Sequence, residues 1–97
     1  MTGRLTIIRD YCKRKGYSEA YQRYWLDHPH CEICRHYSEA PHHICTRGAR
    51  GNDDHADNLV GLCVSHHKEI HDIGVRTFAG KYPVLADKIF YALERPR

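Results

Sequence analysis

The sequence predicts a small α+β fold in which a ββα unit is flanked by helices on both sides. Apolar residues recur at helical spacing near both ends of the chain, and turn signals separate two short apolar stretches in the middle. Histidines and cysteines are concentrated in that middle region. With 97 residues we expect one domain whose small core a structural metal would usefully supplement.

Two helices are predicted before the middle region. Apolar residues from Leu5 to Cys12 lie at helical spacing, and Gly16 follows three basic residues, as at a helix end. Ser18 is a suitable N-cap for a second helix over residues 19–27. The aromatic face of this second helix is predicted to be core rather than a base-stacking platform, and it consists of Tyr21, Tyr24 and Trp25.

The rest of the chain alternates turns, short strands and helices, and its order is typical of a ββα unit followed by a helical tail. The predicted elements are a tight turn at Cys31–Cys34, a short strand within 38–45, a loop over Thr46–Asp54, a second strand or extended turn at 59–62, a helix from about Val64 to Asp72 ended by Gly74, a helical turn over 75–81, and a last helix beginning at Pro83. We therefore expect a helical extension over 1–29, a core over 30–74 and a tail over 75–97.

Composition excludes some classes of protein. Hydrophobic residues make up 41% of the chain, so it is not disordered by composition, and no apolar run reaches the roughly 20 residues that span a membrane. The N-terminal residues lack the uninterrupted apolar centre of a signal peptide, so a cytoplasmic protein without a membrane partner is expected. The net charge of +3 supports nucleic-acid binding only weakly, and the basic first helix is either a DNA-facing element or a solvated face.

The helix that contains CVSHHKEIH offers two separate half-sites for metal ions. Successive helical residues point about 100° apart, whereas residues three or four apart share a face. Cys63 and His66 therefore converge on one side, and His67 and His71 converge on another. Neighbouring His66 and His67 are not expected to serve the same ion.

The first half-site is completed by a Cys-x-x-Cys pair. In a reduced compartment such a pair more often holds metal than forms a disulfide. Cys31, Cys34, Cys63 and His66 make a set suited to closed tetrahedral zinc. Cys45 is a rival fourth ligand, while Cys12 is predicted to be a core residue of the first helix.

The second half-site is accompanied by further polar residues. His67 and His71, four residues apart, resemble the paired-histidine face of catalytic metal helices. A pair of this kind is common on exposed helices, but here His42, His43 and Asn58 accompany it. This combination predicts a complete second site with a catalytic role.

The combined pattern resembles that of the HNH endonucleases, the His-Asn-His or ββα-metal nucleases. The matching elements are HHI at 42–44, a glycine-containing loop, NLVGLC at 58–63 and HHKEIH at 66–71, and together with the first cysteine pair they cover about two fifths of the chain. The cysteines resemble those of the zinc-stabilised branch of that family. His66 departs from it, because a second Cys-x-x-Cys is more usual, and this leaves the identity of the fourth zinc ligand open.

The resemblance implies a role for each residue of the second site. It makes His43 the general base that takes a proton from water, and it makes His42, His67 and His71 ligands of one divalent catalytic ion. Asn58 would hold either the turn or the imidazole of the base in its working orientation. The resemblance also implies DNA as the substrate, with products that carry a 5′-phosphate and a 3′-hydroxyl.

The chemistry of hydrolysis is consistent with these roles. An ion held by neutral imidazoles, with open positions, stabilises charge on phosphoryl oxygens and on the leaving oxygen. An imidazole with an ordinary pKa near 6.5 is an unprotonated base at neutral pH. Three imidazoles accept several ions, so Mg²⁺, Mn²⁺, Ni²⁺ and Zn²⁺ all stay open for this position.

Other residues near the pattern are ambiguous. Arg47 and Arg50 either contact the DNA backbone or belong to a solvated loop. Three nearby aspartates are expected to be caps and turn formers rather than ligands, and His55 is expected to be exposed; the aspartates are Asp53, Asp54 and Asp57. On a flat strand His42 and His43 would point to opposite faces, so the strand must twist or end there, or His42 is only a structural neighbour.

Two other classes of function compete with a nuclease. One is a zinc-containing module that binds nucleic acid without cutting it, and the other is a structural subunit of a larger complex. A complete second site favours the nuclease, since a pure zinc module does not need one. So short a chain is expected to have low sequence specificity or a protein partner that supplies it. We expect the protein to belong to a phage, a restriction system or a mobile element in a bacterial cell.

Overall fold

Five α-helices surround a two-stranded antiparallel sheet in the computed structural model, which describes residues 3–45 and 54–94. The helices are α1 (Arg4–Lys15), α2 (Glu19–Asp27), α3 (Val64–Ile73), α4 (Val75–Lys81) and α5 (Ala86–Glu94), and the strands are β1 (His42–His43) and β2 (Leu59–Val60). The predicted α+β class is confirmed. Within the described ranges, no helix is long and apolar enough to cross a membrane.

The helix boundaries follow the start and stop signals in the sequence. Gly16 ends α1 with a φ of 72°, a left-handed conformation that favours glycine. The Ser18 side chain accepts a hydrogen bond of 3.2 Å from the Tyr21 backbone at the start of α2. Gly74 ends α3, and its N–H donates to the Ile70 carbonyl. The predicted last helix begins one turn later than Pro83, because residues 83–85 form a 3₁₀ turn before α5.

The sheet lies between two clusters of buried side chains. β1 and β2 pair in an antiparallel register with His42 opposite Val60 and His43 opposite Leu59. Neighbouring strand residues point to opposite faces. Val60 accordingly packs with α3, α4 and α5, whereas Leu59 packs with α1 and α2. This short strand therefore joins the N-terminal helices to the rest of the core.

The helices α1 and α2 form the smaller cluster. Tyr21 and Tyr24 are buried there, with 0% and 5% of their surface exposed, so their prediction as core residues is confirmed. Trp25 is only half-buried and packs against the edge of the cluster. Arg4 donates a hydrogen bond of 2.6 Å to the Trp25 carbonyl. One of the basic residues of α1 therefore supplies a donor to a backbone carbonyl in the last turn of α2.

A partly buried carboxylate connects four parts of the chain. The Glu32 side chain accepts hydrogen bonds of 2.8 Å from the Tyr24 hydroxyl and 2.8 Å from the Gly61 backbone, and a 3.3 Å bond from Lys88. Burial, with this carboxylate beside it, raises the pKa of the Tyr24 phenol, so the hydroxyl remains a donor. Glu32 thereby ties α2 and α5 to the segment that leads into α3.

We expect Glu32→Ala to lower the free energy of unfolding by about 2 kcal/mol, because it leaves a buried hydroxyl and a backbone N–H without their acceptor. Thermal unfolding should show a decrease of about 10 °C in Tm. Asp72→Ala is the matched control, since the Asp72 carboxylate pairs with Lys68 on the exposed surface of α3. An equal decrease for both variants would show that the connection through Glu32 does not stabilise the fold.

Candidate metal centres

Three cysteines and one histidine form a compact group between the turn at Cys31–Cys34, which we call the knuckle, and the start of α3. One ligand atom from each of Cys31, Cys34, Cys63 and His66 lies within 4.8 Å of the others. The measured separations are 3.6 Å between the sulfurs of Cys34 and Cys63, 3.3 Å from the Cys63 sulfur to His66 Nδ1, and 3.5 Å from the Cys31 sulfur to the same nitrogen. Tetrahedral zinc requires separations of about 3.5–3.8 Å, so this group fits a zinc ion.

The local backbone shapes the first half of this group. The Cys31 N–H donates to the His36 carbonyl over 2.6 Å, and the Arg35 N–H donates to the Cys31 carbonyl over 3.0 Å. Arg35 takes a φ of 71°, which closes the turn. The Ile33 N–H points at the Cys31 sulfur from 3.5 Å. The turn therefore presents both sulfurs of the Cys-x-x-Cys pair on one side.

The electrostatics of the group favour a thiolate at Cys31. Burial alone would raise the pKa of this thiol, but backbone N–H groups of Cys34, Cys63 and Ile33, together with the His66 ring, donate to the sulfur and hold its pKa at about 7. A thiolate is the form that binds zinc. The prediction that these cysteines and His66 form a group able to hold a metal such as zinc is thus confirmed.

Three imidazoles form a second group on a different face of α3. Ligand nitrogens of His42, His67 and His71 lie within 4.8 Å of one another, and the two Nε2 atoms on the helix are 3.2 Å apart. His67 Nδ1 lies 3.0 Å from a carboxylate oxygen of Glu39. This contact fixes the imidazole so that Nε2 faces the other two rings, as in the carboxylate–histidine–metal arrangements of proteins.

His42 is kept neutral by its surroundings. Burial lowers its pKa to about 3, and the nearby rings of His67, His71 and His43 contribute further lowering. A neutral imidazole is the form that coordinates a metal ion. The partly buried position of His42 therefore suits a ligand.

The lowered pKa of His42 should make the stability of the protein depend on pH. Below the unfolded pKa near 6.5 the unfolded chain takes up a proton that the folded chain does not, so stability is lost as pH falls from 6.5 toward 3. Without added divalent ion we expect the loss between pH 7 and pH 5 to be about 2 kcal/mol larger in the wild type than in His42→Gln. Denaturant unfolding of both proteins at both pH values measures this difference in the free energy of unfolding. Both proteins keep the same Cys/His group, so its protonation cancels. Equal losses in the two proteins would contradict a neutral His42 in the folded state.

His43 is held by a carboxylate that lies 11 residues further along the chain. Its Nε2 lies 2.7 Å from Asp54 Oδ1, and Asp54 also accepts a 3.2 Å hydrogen bond from the Ser18 backbone. The imidazole stacks on Tyr21 with ring centroids 5.3 Å apart. With Nε2–H donated to the carboxylate, Nδ1 is the nitrogen of the neutral ring that can accept a proton.

The Asp54 carboxyl is ionised in this arrangement. Burial alone would raise its pKa, but hydrogen bonds from His43 and Ser18 outweigh burial and hold the pKa below its usual value. An ionised carboxylate favours the Nε2–H tautomer of His43 and stabilises the ring once it takes up a proton.

Asn58 holds the chain immediately after His43. It is fully buried, its side-chain oxygen accepts a 2.8 Å hydrogen bond from the Cys45 N–H, and its amide donates to the Cys45 carbonyl over 3.1 Å. The Asn58 carbonyl also accepts from the Ile44 N–H. These contacts support the first of the two predicted roles, holding the turn. The same contacts place Cys45 beside Asn58. Among the described residues, Cys45 is not a member of the Cys/His group.

One cleft brings both kinds of histidine together. β1 directs His42 toward the rings of α3 and His43 toward Tyr21 and Asp54, in line with the opposite faces expected of a strand. The strand ends after these two residues, and both histidines line the same cleft of about 310 Å³. We call it the histidine cleft, and its other lining residues are Tyr11, Tyr17, Tyr21, Ala40, Pro41, His67 and His71.

The remaining candidates have mixed outcomes. Arg47, Arg50 and Asp53 lie outside the described residues. Asp57 and His55 belong to the turn before β2, where His55 is exposed as predicted and Asp57 lies 3.4 Å from its ring. Asp54 was expected only to cap or to form a turn, and its contact with His43 was not predicted.

Two functional candidates were missed by the sequence analysis, Glu39 and Asp54. Each carboxylate orients a histidine that is distant in the chain, His67 and His43 respectively. Neither lies at a fixed spacing from its partner, so periodicity gave no signal for them.

Comparisons with known proteins add one relative. No family model matches the chain, and no solved structure matches it. The chain is 32% identical over 85 residues to the uncharacterized protein YdfU of Escherichia coli (strain K12). The similar region covers 86% of this chain but only 24% of YdfU, so the chain spans about a quarter of the length of that relative.

Proposed function

We propose that this chain is a metal-dependent DNA endonuclease of the HNH type, with a zinc-stabilised ββα core. One observation carries the proposal. Three imidazoles from β1 and α3 converge in the histidine cleft beside a His43–Asp54 pair, while a separate Cys/His group lies on a different face of α3. A protein that only binds nucleic acid through a zinc module would not need the second set.

Each set has its own part in this proposal. Cys31, Cys34, Cys63 and His66 would hold zinc and clip the knuckle to α3. The second set, His42, His67 and His71, would hold a divalent ion in the cleft. Such an ion supplies positive charge for the phosphoryl oxygens and the leaving 3′ oxygen of DNA.

His43 would act as the general base. Its Nδ1 takes a proton from the water that attacks phosphorus, while Nε2–H remains bonded to Asp54. The Asp54 carboxylate stabilises the resulting imidazolium and keeps the ring oriented. Asn58 fixes the backbone that follows His43, so that the base stays in place within the cleft.

Incubation of purified protein with supercoiled plasmid tests the proposal. The reactions contain EDTA or added magnesium, manganese, nickel or zinc, and nicked and linear products are measured on a gel. We expect nicking that requires an added ion and that disappears in His71→Ala purified in the same way. Nicking that persists in EDTA would contradict the proposal. DNA binding without cutting under every ion would instead favour a non-catalytic zinc module.

We expect Asp54→Ala to lower the nicking rate by about 10- to 1,000-fold, because His43 loses the group that sets its tautomer and orientation. The loss should fall on the rate at saturating DNA and not on the DNA concentration that gives half the maximal rate. Asp57→Ala is the control, since Asp57 contacts His55 in the same segment. An equal loss in both variants would mean that disturbance of the segment over 54–58, rather than loss of the His43 partner, lowers the rate.

A further inference from the structure

The histidine cleft continues into a groove with aromatic walls. A second cleft of about 320 Å³ is lined by Tyr11, Trp25, Glu39, Ala40 and His67. Tyr11, Ala40 and His67 line both clefts. The two therefore form adjoining parts of one surface, which runs from the three imidazoles to the half-buried rings of α1 and α2. We call its second part the aromatic groove.

The aromatic rings along this surface are available to different degrees. Tyr21 lines the adjoining histidine cleft, but it is fully buried and its hydroxyl donates to the Pro41 carbonyl, so it offers no face to a ligand. Tyr11 and Trp25 are half-buried, and their rings meet edge to face with centroids 5.4 Å apart. These two rings are thus the part of the wall that a planar ligand could reach.

Positive charge lies beside one of these two rings, that of Tyr11. The Arg14 guanidinium and the Lys15 ammonium lie 5.6 Å and 5.8 Å from the centroid of Tyr11, and both side chains are exposed. The acidic residue of the groove, Glu39, is bonded to His67. Aromatic rings combined with exposed cations are the features by which proteins bind single-stranded nucleic acid.

We propose that the aromatic groove binds an unpaired nucleotide next to the phosphate that is cut, so that the preferred substrate contains a single-stranded segment. A base can stack on Tyr11 and Trp25 only when its face is free, and in an intact duplex neighbouring bases cover both faces. Arg14 and Lys15 bind the phosphates of the same strand. This inference deepens the proposed function and rests on it for the position of the cut.

Binding can be measured without cutting when the divalent ion is left out. Trp25 is the only tryptophan of the chain, so tryptophan fluorescence reports on the aromatic groove. A thymidine oligomer and a blunt duplex of equal length are titrated into wild-type protein without added divalent ion, while tryptophan fluorescence is recorded. We expect the single strand to quench Trp25 and to bind at least about 10-fold more tightly than the duplex at the same salt concentration. Equal affinity without a change in fluorescence would overturn the inference.

Variants separate stacking from charge. Tyr11→Leu should weaken binding of the single strand by about 5- to 100-fold. The double variant Arg14→Gln/Lys15→Gln changes only exposed side chains, so it stays informative even if Tyr11→Leu unfolds, and it should weaken binding and reduce its salt dependence. Tyr91→Leu is the aromatic control, since Tyr91 is exposed on α5 and lines neither cleft. Unchanged binding in the double variant, or an equal loss in Tyr91→Leu, would contradict the assignment of this groove.

The outcomes distinguish the inference from the function on which it rests. Ion-dependent nicking of plasmid without any preference for single strands would overturn the inference and leave the nuclease. Preferential binding of single strands with no cutting of any DNA would overturn the nuclease and with it the placement of the nucleotide beside a cut.

Discussion

His43→Ala is expected to lower the rate of plasmid nicking by about 100- to 10,000-fold, with zinc content and cooperative unfolding retained. The substitution removes the nitrogen that would take the proton from water. It also removes a ring that stacks on Tyr21, but Asp54 keeps its hydrogen bond from Ser18, so we expect a cost of only about 1–2 kcal/mol in stability. The nicking rate under saturating ion is the measurement.

The matched control for this prediction is His55→Ala. His55 is an exposed histidine of the turn before β2, with 63% of its side-chain surface accessible, and it is not a member of the three-imidazole group. We expect this variant to nick at the wild-type rate. A His43→Ala protein that cuts as fast as His55→Ala would rule out His43 as the general base.

Cys31→Ser is expected to remove most of the bound zinc and to lower Tm by more than about 15 °C. Cys31 is buried in the main core cluster, at 1% exposure, and its sulfur is 3.5 Å from His66 Nδ1. Structural zinc contributes about 10–16 kcal/mol to small zinc domains, which is comparable with the whole stability of an ordinary domain. Metal analysis and thermal unfolding measure the effect.

Cys45→Ser is the control for the zinc prediction. Cys45 is also buried, but its backbone is bonded to Asn58 and it is outside the Cys/His group. We expect this variant to keep its zinc, with a modest loss of stability from burying a hydroxyl. Retention of zinc and Tm in Cys31→Ser, or loss of zinc in Cys45→Ser, would show that the group has been assigned to the wrong cysteines.

Helix geometry made the division between the two groups predictable from sequence. A rotation of about 100° per residue sends His66 and His67 to different sides of α3, and the structure brings each to a different set of partners. The short strands were also predictable, because His42 and Leu59 lie in short stretches bounded by turn residues. Local rules of this kind need no knowledge of the tertiary fold.

The partners that orient the histidines were not predictable in the same way. Asp54 contacts His43 from 11 residues further along the chain, and Glu39 contacts His67 from 28 residues away. Both contacts depend on how the elements pack rather than on spacing. Spacing also left Cys45 as a rival ligand, and only the contacts of Asn58 with Cys45 show where that cysteine lies.

The role of the N-terminal helices illustrates the same limit. The sequence left two interpretations of the basic face of α1 and predicted the aromatic face of α2 to be core rather than a base-stacking platform. Packing assigns Tyr21 and Tyr24 to the core but leaves Tyr11 and Trp25 along a groove that adjoins the histidine cleft. The binding role proposed for that groove follows from this juxtaposition, which no single segment of the sequence contains.

Zinc content and nicking in His66→Ala and His67→Ala test most directly whether the two histidines serve different ions. The two residues are neighbours in α3. We expect His67→Ala to keep its zinc and to fail to nick with any added ion, whereas His66→Ala should lose zinc and stability. Loss of zinc in both variants, or wild-type nicking by a zinc-loaded His67→Ala protein, would contradict the division into two metal sites.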